Sequence, residues 1–409
     1  MNRFLNALFT FGVFASFLGS YFSVSLIGLG TGLVLVLGPV LLIREKKASF
    51  VLKNPLLLSF LLLIAAILVS ISLADPYPYQ KPLGKIRYLL CFFLFCLYFV
   101  DKPQTKTTFL KLSAWVGGVL GLVALGQHFW GLSPLTWISG LQLKPVLGAE
   151  NRFLATGFAF HHNPFAATLN FLFPFLLVQF LDSSSNRSLY GFGALGSVIG
   201  ILCSFSRSGW LCLMCSTLVL VVILRPKLFI PLLLVGASAV FLLFKTYPPF
   251  QARASTFTLI ANSERFQLWD ICLRMFKDAP WFGQGFYSFG SRFQNYIDLS
   301  AQRTEFPVEA HNMYLDILCG TGVIGFLAFG FWLFSISKML SQGMKKFPLL
   351  SSDKVYVLGM LGALIAFLMG GMFDKYFYMT QTITPFLFFL SMATSSVMTQ
   401  VEATQKPNP

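Results

Sequence analysis

Residues 23–43, SVSLIGLGTGLVLVLGPVLLI, contain no charged side chain, and Arg44-Glu45-Lys46-Lys47 follows at once. A run of that length crosses the roughly 30 Å hydrocarbon core of a bilayer as a helix. Comparable runs recur near residues 4–20, 55–74, 86–100, 110–130, 157–181, 189–205, 209–224, 228–245, 313–336, 355–373 and 379–398. With 56% hydrophobic and only 11% charged residues, the chain has too little polar surface to cover a core in water. The expected fold is an all-α polytopic membrane bundle of about twelve transmembrane helices, with one long outer loop containing short amphipathic helices. Residues 1–409 read as a single membrane domain, 246–312 as the loop within it, and 401–409 as a disordered tail. Met1-Asn2-Arg3 and the apolar run after it resemble a signal peptide, but no small-x-small cleavage site follows, so this run is expected to be the first membrane helix.

A formal net charge of +15 suggests an anionic partner until the charges are placed on this topology. Lysines and arginines on the side of the N-terminus are Arg3, Arg44, Lys46, Lys47, Lys53, Lys102, Lys106, Lys111, Arg187, Arg225, Lys227, Lys338, Lys345, Lys346, Lys354 and Lys406. They outnumber Lys81, Lys85, Arg87, Lys144, Arg152, Arg207 and Lys375 in the short loops opposite. The positive-inside rule then places both termini in the cytoplasm and the long loop outside, and the charge calls for no nucleic-acid partner.

The seven cysteines, Cys91, Cys96, Cys203, Cys212, Cys215, Cys272 and Cys319, lie almost wholly inside apolar runs, where cysteine behaves as a small hydrophobe. Cys212 and Cys215 have metal-like spacing, but no second pair or nearby histidine joins them, so neither a disulfide nor a metal is expected.

The stretch from Phe250 to Gly325 is the only long polar segment. It contains Ser263-Glu264-Arg265-Phe266-Gln267-Leu268-Trp269-Asp270, then Pro280-Trp281-Phe282-Gly283-Gln284-Gly285, then Glu309-Ala310-His311-Asn312. Phe266, Trp269, Leu273 and Phe276 recur at helical spacing, with Asn262 or Ser263 as a cap and Pro280 beyond the end, which predicts an amphipathic helix on the membrane surface. On that reading Arg265 falls in the first helical turn, where the dipole and free N–H groups favour an anion. A guanidinium there makes a phosphate clamp, and a surface pair with Glu264 or Asp270 is equally compatible with the spacing.

His311 precedes the helix expected near Met313, at the outer boundary. An ordinary histidine is largely neutral near pH 7 and accepts a proton from an attacking hydroxyl, although a histidine closing a helix end is the structural alternative. Arg207 lies in Ser204-Phe205-Ser206-Arg207-Ser208-Gly209, a polar break between two apolar runs. Facing lipid at depth, an arginine costs roughly 2.5–3.5 kcal/mol, so it should face a cavity or the interface, or snorkel at a tight turn. Arg152, and His161, His162 and Asn163 at the opening of the sixth run, are further candidates for binding substrate. Adjacent histidines point about 100° apart on a helix, which rules out a metal pair there. No paired carboxylates, serine-histidine-aspartate set or phosphate-binding glycine loop is recognisable.

Taken in order, these residues resemble the O-antigen ligase family, which includes lipopolysaccharide ligases and is related to O-antigen polymerases and bacterial O-oligosaccharyltransferases. The resemblance runs from about Arg152 to Phe334. It is carried by Gly157-Phe158-x-x-x-x-Asn163-Pro164, by Ser206-Arg207-Ser208-Gly209, by Glu264-Arg265-x-x-x-Trp269 through Asp278-x-Pro280-x-x-Gly283-x-Gly285, and by His311-Asn312-x-x-Leu315 through Thr321-Gly322-x-x-Gly325. The family implies transfer of a glycan from an undecaprenyl-diphosphate carrier to an acceptor hydroxyl, on the periplasmic face of the bacterial inner membrane, without metal, nucleotide or other cofactor. It implies Arg207 and Arg265 on the diphosphate, His311 as the base, and Arg152 as a further contact.

A ligase would use lipid A–core or another glycolipid as acceptor, a polymerase another carrier-linked glycan, and a protein O-oligosaccharyltransferase a protein. One long outer loop before His311 favours the ligase. A transporter would need midplane charges and matching broken helices, which are not evident, Asp316 being the nearest candidate.

Overall fold

A computed structural model describes residues 2–74, 80–100, 102–133, 142–146, 149, 151–182, 185–255, 259–297, 310–348 and 351–405. Among them are sixteen α-helices and no strand, apart from an isolated bridge between Pro145 and Phe153. The helices are α1 (Asn2–Phe22), α2 (Val24–Arg44), α3 (Ala48–Leu52), α4 (Leu57–Leu73), α5 (Gln80–Phe99), α6 (Pro103–Trp130), α7 (His162–Asp182) and α8 (Arg187–Cys203). They continue as α9 (Arg207–Leu224), α10 (Phe229–Thr246), α11 (Pro248–Ser255), α12 (Leu259–Asp278), α13 (Phe289–Arg292), α14 (Met313–Lys346), α15 (Ser352–Gly371) and α16 (Thr380–Gln405).

Among the described residues ten helices are long and apolar enough to cross a membrane, and α4 and α8 are shorter apolar helices of 17 residues each. Each apolar run of the sequence thus corresponds to one helix. Close approach of α6 to α8 depends on small residues. A Cβ on Gly121 would lie 2.4 Å from Gly196 Cα, and one on Gly117 2.6 Å from the Gly193 carbonyl. Such faces let backbones meet where lipid offers no hydrophobic drive to associate. A buried aromatic cluster around Trp332, with Phe60, Phe329, Phe367, Phe377 and Phe386, joins α4, α14, α15, α16 and the segment between the last two. By contrast α10 buries none of its residues and stands at the rim of the bundle.

Several boundaries depart from the sequence reading. Helix α7 begins at His162, not 157, because Gly157 takes a positive φ of 57° and the preceding chain is held by Gln127. The Gln127 Oε1 accepts from the Thr156 and Gly157 N–H groups at 2.9 and 2.8 Å, and its Nε2 donates to the Gly157 carbonyl at 2.7 Å. Helix α16 continues through Gln405 into the expected tail, since no proline or glycine interrupts it there, while 406–409 lie outside the described residues. Helix α12 starts at Leu259, so Asn262 and Ser263 are interior positions and not caps. Arg265 therefore sits beyond the first turn, and the helix-terminus argument for it fails.

Candidate functional site

Two loop-to-helix junctions and one helix of the long loop carry the candidate residues. At the first, α8 ends and the chain turns within three residues, with Phe205 at φ 53°. Ser204 Oγ accepts from the Ser206 N–H at 3.1 Å, and Ser206 Oγ caps α9 by accepting from the Gly209 N–H at 3.2 Å. These short-range bonds satisfy the backbone of a turn too tight for anything longer. Arg207 is consequently the first residue of an 18-residue helix. The anion-favouring helix terminus that the sequence suggested for Arg265 belongs instead to Arg207.

At the second junction, His311 adopts φ 51° and Asn312 caps α14, its Oδ1 accepting from the Tyr314 and Leu315 N–H groups at 3.0 and 3.2 Å. A left-handed backbone at a histidine before a capped helix is uncommon and turns the ring out of line with the helix. His311 Nδ1 lies 3.9 Å from the carboxylate of Asp374, which is 3% exposed. Asp374 Oδ1 also accepts from the Lys375 N–H at 2.8 Å, which fixes the carboxylate on the segment between α15 and α16.

Helix α12 joins the two. Trp269, one turn after Arg265, donates its indole N–H to the Ala310 carbonyl at 3.2 Å, directly before His311. The Ala310 N–H is in turn bonded to the buried carboxylate of Asp316. Ala310 is thus pinned from both sides, by the helix carrying Arg265 and by the helix that His311 opens. Arg265 is close enough to Arg207 for the two charges to act on each other. From the other direction, the Tyr376 hydroxyl lies against Ser208 and Cys212 of α9, while Asp374, two residues before it, faces His311. Burial, then the neighbouring Cys212 and Asp374, push the Tyr376 phenol well above its usual range, so it stays neutral.

Two lysines extend the site. Lys375 follows Asp374, and Lys85 of α5 lies near it, reaching Thr380 Oγ1 at 3.4 Å and the Tyr287 ring at 5.4 Å. Burial, and secondly the charge of Lys85, bring the Lys375 ammonium down to about 8. Unfolded, the same lysine holds its proton to about 10.4. Folding therefore carries a penalty that is complete below about pH 8 and is relieved as pH rises from there, since the unfolded chain then binds more protons. Anion binding takes the opposite sign, because the charge that attracts the anion is lost above about pH 8. Titrating inorganic diphosphate into the purified protein should show weaker binding as pH passes through about 8, and Lys375→Met should make that dependence shallower.

The remaining candidates are placed by other neighbours. The Arg152 guanidinium lies 5.0 Å from the Phe129 ring and beside the Tyr247 hydroxyl, in a cluster where His128 Nε2 is 2.6 Å from that hydroxyl. His161 precedes α7, so the histidine doublet does not follow helical geometry. The two rings lie against each other with centroids 4.1 Å apart, and His161 Nδ1 accepts from the Asn163 N–H at 3.3 Å. Asp374, Lys375 and Lys85 were not singled out in the sequence as site residues. The available signal was a lone carboxylate in a short outer loop, Phe373-Asp374-Lys375-Tyr376.

Glycines of the loop motif have a structural role. Gln284 and Gly285 N–H groups donate to the Cys319 and Gly320 carbonyls at 2.9 Å each, and the Val323 N–H donates to Pro280 at 2.8 Å. The loop from Pro280 to Gly285 thus pairs with the kink of α14 at Gly322, which has φ 65° and ψ −169°.

Residues 192–330 match a family model described as O-Antigen ligase. That span includes Arg207, Arg265 and His311, whereas Arg152, His161, His162 and Asn163 precede it. No curated protein matches the chain.

Proposed function

We propose that this chain, whose residues 192–330 match a family model described as O-Antigen ligase, transfers O-antigen glycan from undecaprenyl diphosphate to a hydroxyl of lipid A–core oligosaccharide. The family's activity is in general that of a glycan ligase or transferase, with a glycan-linked lipid donor and a lipid acceptor. The finer reading places the protein in the bacterial inner membrane with both termini cytoplasmic and the reaction on the periplasmic side.

The observation that carries it is the junction itself: Trp269, one turn from Arg265, is bonded to Ala310 beside His311, whose Nδ1 is 3.9 Å from the buried Asp374, and the charge of Arg207 lies within electrostatic reach of Arg265. Two like charges held together repel, and a diphosphate between them reverses the sign of the interaction. His311, with its Nδ1 3.9 Å from the buried Asp374 carboxylate, is the group that takes the acceptor's proton. The acceptor oxygen then bonds to the anomeric carbon, the bond from that carbon to the phosphate oxygen breaks, and undecaprenyl diphosphate departs with the electron pair. Arg207 and Arg265 offset the charge on the departing oxygens, and Asp374 offsets the imidazolium. Lys375 and Lys85 add positive potential on the same side.

The test is a ligase-deficient strain complemented with Arg207→Gln or Arg265→Gln, with lipopolysaccharide resolved on a gel and the variants assayed in vitro. Each guanidinium removed should weaken the charged interaction by about 1.5–3 kcal/mol, roughly a ten- to hundred-fold loss of donor affinity. Thermal stability in detergent, measured on the same variants, separates loss of donor affinity from loss of fold. Lipid A–core without polymer, together with accumulated carrier-linked polymer, supports the ligase. A core bearing one repeat unit indicates a polymerase, and normal banding in both variants overturns the site.

A further inference from the structure

We propose that Cys272 and Cys319 form a disulfide that ties the helix carrying Arg265 to the helix that His311 opens. Their Sγ atoms are 3.7 Å apart and both side chains are buried, at 1% and 0% exposure. They are separated by 47 positions in sequence, so no spacing motif reveals the pair, and the expectation of unpaired cysteines rested on their apolar surroundings and on spacing. Cys272 lies three residues after Trp269, on the face of α12 that buries Leu268, Ile271 and Met275. Cys319 stands on α14 just before the kink, and its carbonyl accepts from Gln284. A bond between them would hold the same two helices that the Trp269–Ala310 hydrogen bond already joins.

The competing occupant is a metal ion, because the Asp316 carboxylate lies within 4.8 Å of both sulfurs. Structural zinc is closed by four ligands, and a three-ligand zinc keeps a position open to water. Among the described residues no fourth histidine, cysteine or carboxylate joins this group, and Asp316 is itself only 6% exposed. The carboxylate is moreover already engaged by the Ala310 N–H. Two thiols in contact, without a fourth donor and without access to water, fit a disulfide better.

The inference rests on the reading that puts the long loop on the periplasmic side, where disulfides persist. Formation is a two-electron oxidation by exchange. One cysteine thiolate attacks the disulfide of an extracytoplasmic thiol oxidant, releasing one of its sulfurs as a thiol, and the second cysteine displaces the other. One S–S bond forms in this protein as one is lost in the oxidant, and the two protons pass to the oxidant's thiols. The exchange has to precede the docking of α12, since the folded pair is closed to reagents.

The full-length protein, isolated from membranes without reductant and denatured in the presence of a polyethylene-glycol maleimide, should carry two fewer adducts before reduction than after. Mass spectrometry should recover the peptides of Cys272 and Cys319 joined. Cys272→Ser or Cys319→Ser should abolish the difference, and Cys215→Ser should leave it unchanged. The joined peptides are read on the unmodified protein, so a variant that fails to fold does not void the result. Equal adduct numbers overturn the proposal, as does release of the two thiols by a chelator alone with zinc in the purified protein. A phosphatase reporter fused after Phe250 separates the causes. Free thiols with an active reporter sink the disulfide alone, and free thiols with an inactive one sink the outer placement of the loop as well.

Discussion

His311→Ala should lower the rate of glycan transfer by roughly 10²–10⁴-fold, the usual contribution of a positioned general base. That range corresponds to about 2.7–5.5 kcal/mol of barrier. Binding of the carrier-linked donor should change little, because the residues assigned to the diphosphate are Arg207 and Arg265 and neither is touched. The split is therefore a fall in kcat at nearly constant affinity, measured with purified protein and carrier-linked glycan. Asp374→Asn should give a smaller fall of the same kind. On the proposed mechanism the buried carboxylate 3.9 Å from His311 Nδ1 offsets the imidazolium, but the proton still has an acceptor without it. A His311→Ala variant that transfers at the normal rate would remove the base from the mechanism and leave only the anion site. Alanine also bears on the backbone, since φ 51° suits it no better than histidine. His311→Gln, which keeps a polar side chain of similar reach, separates loss of the base from a shifted junction.

The candidate residues were chosen from the sequence. Hydrophobic runs mark where the chain enters and leaves the membrane, so they fix where polar residues at run ends must cluster, and Arg207 and His311 were singled out that way. Arg265 was singled out too, but for a reason that the structure removes. The period of Phe266, Trp269, Leu273 and Phe276 reveals the axis of α12 but not its start, because the apolar Leu259 and Ile260 extend the helix backward past the polar residues that looked like caps. Contacts that depend on distant chain segments were not legible. Gln127 capping the turn at Gly157, Trp269 reaching Ala310, and Asp374 meeting His311 each join residues brought together only by packing. The twelve helix positions could be read from composition because each run answers to the bilayer alone. Their mutual register could not, because it is set by small faces such as Gly121 against Gly196, and glycines occur in every run whether or not they meet a neighbour.

Gly322→Ala should be among the most damaging single-methyl changes at the described residues. At φ 65° and ψ −169° the backbone is in a region that glycine alone occupies without strain. Holding another residue there costs on the order of 1–3 kcal/mol. A Cβ would in addition stand 2.4 Å from the carbonyl carbon and oxygen of Trp281, which are backbone atoms and have no rotamer to yield. The loop must therefore move, and the bonds from Val323 to Pro280 and from Ile324 to Trp281 go with it. Gly330→Ala on the same helix is the control, since a Cβ there meets nothing within 4 Å and removing an interior glycine gains up to about 1 kcal/mol of helix propensity. Thermal unfolding in detergent should show Gly322→Ala well below the unmodified protein and Gly330→Ala level with it or above. Transfer should fall with Gly322→Ala although His311, Arg207 and Arg265 are all present, because the kink sets the direction of the half-helix whose cap follows His311. Equal unfolding temperatures for the two variants would mean that the Pro280–Gly285 strap does not hold α14 in its bent form. The position of His311 would then have to depend on the Asn312 cap and the Trp269 bond alone.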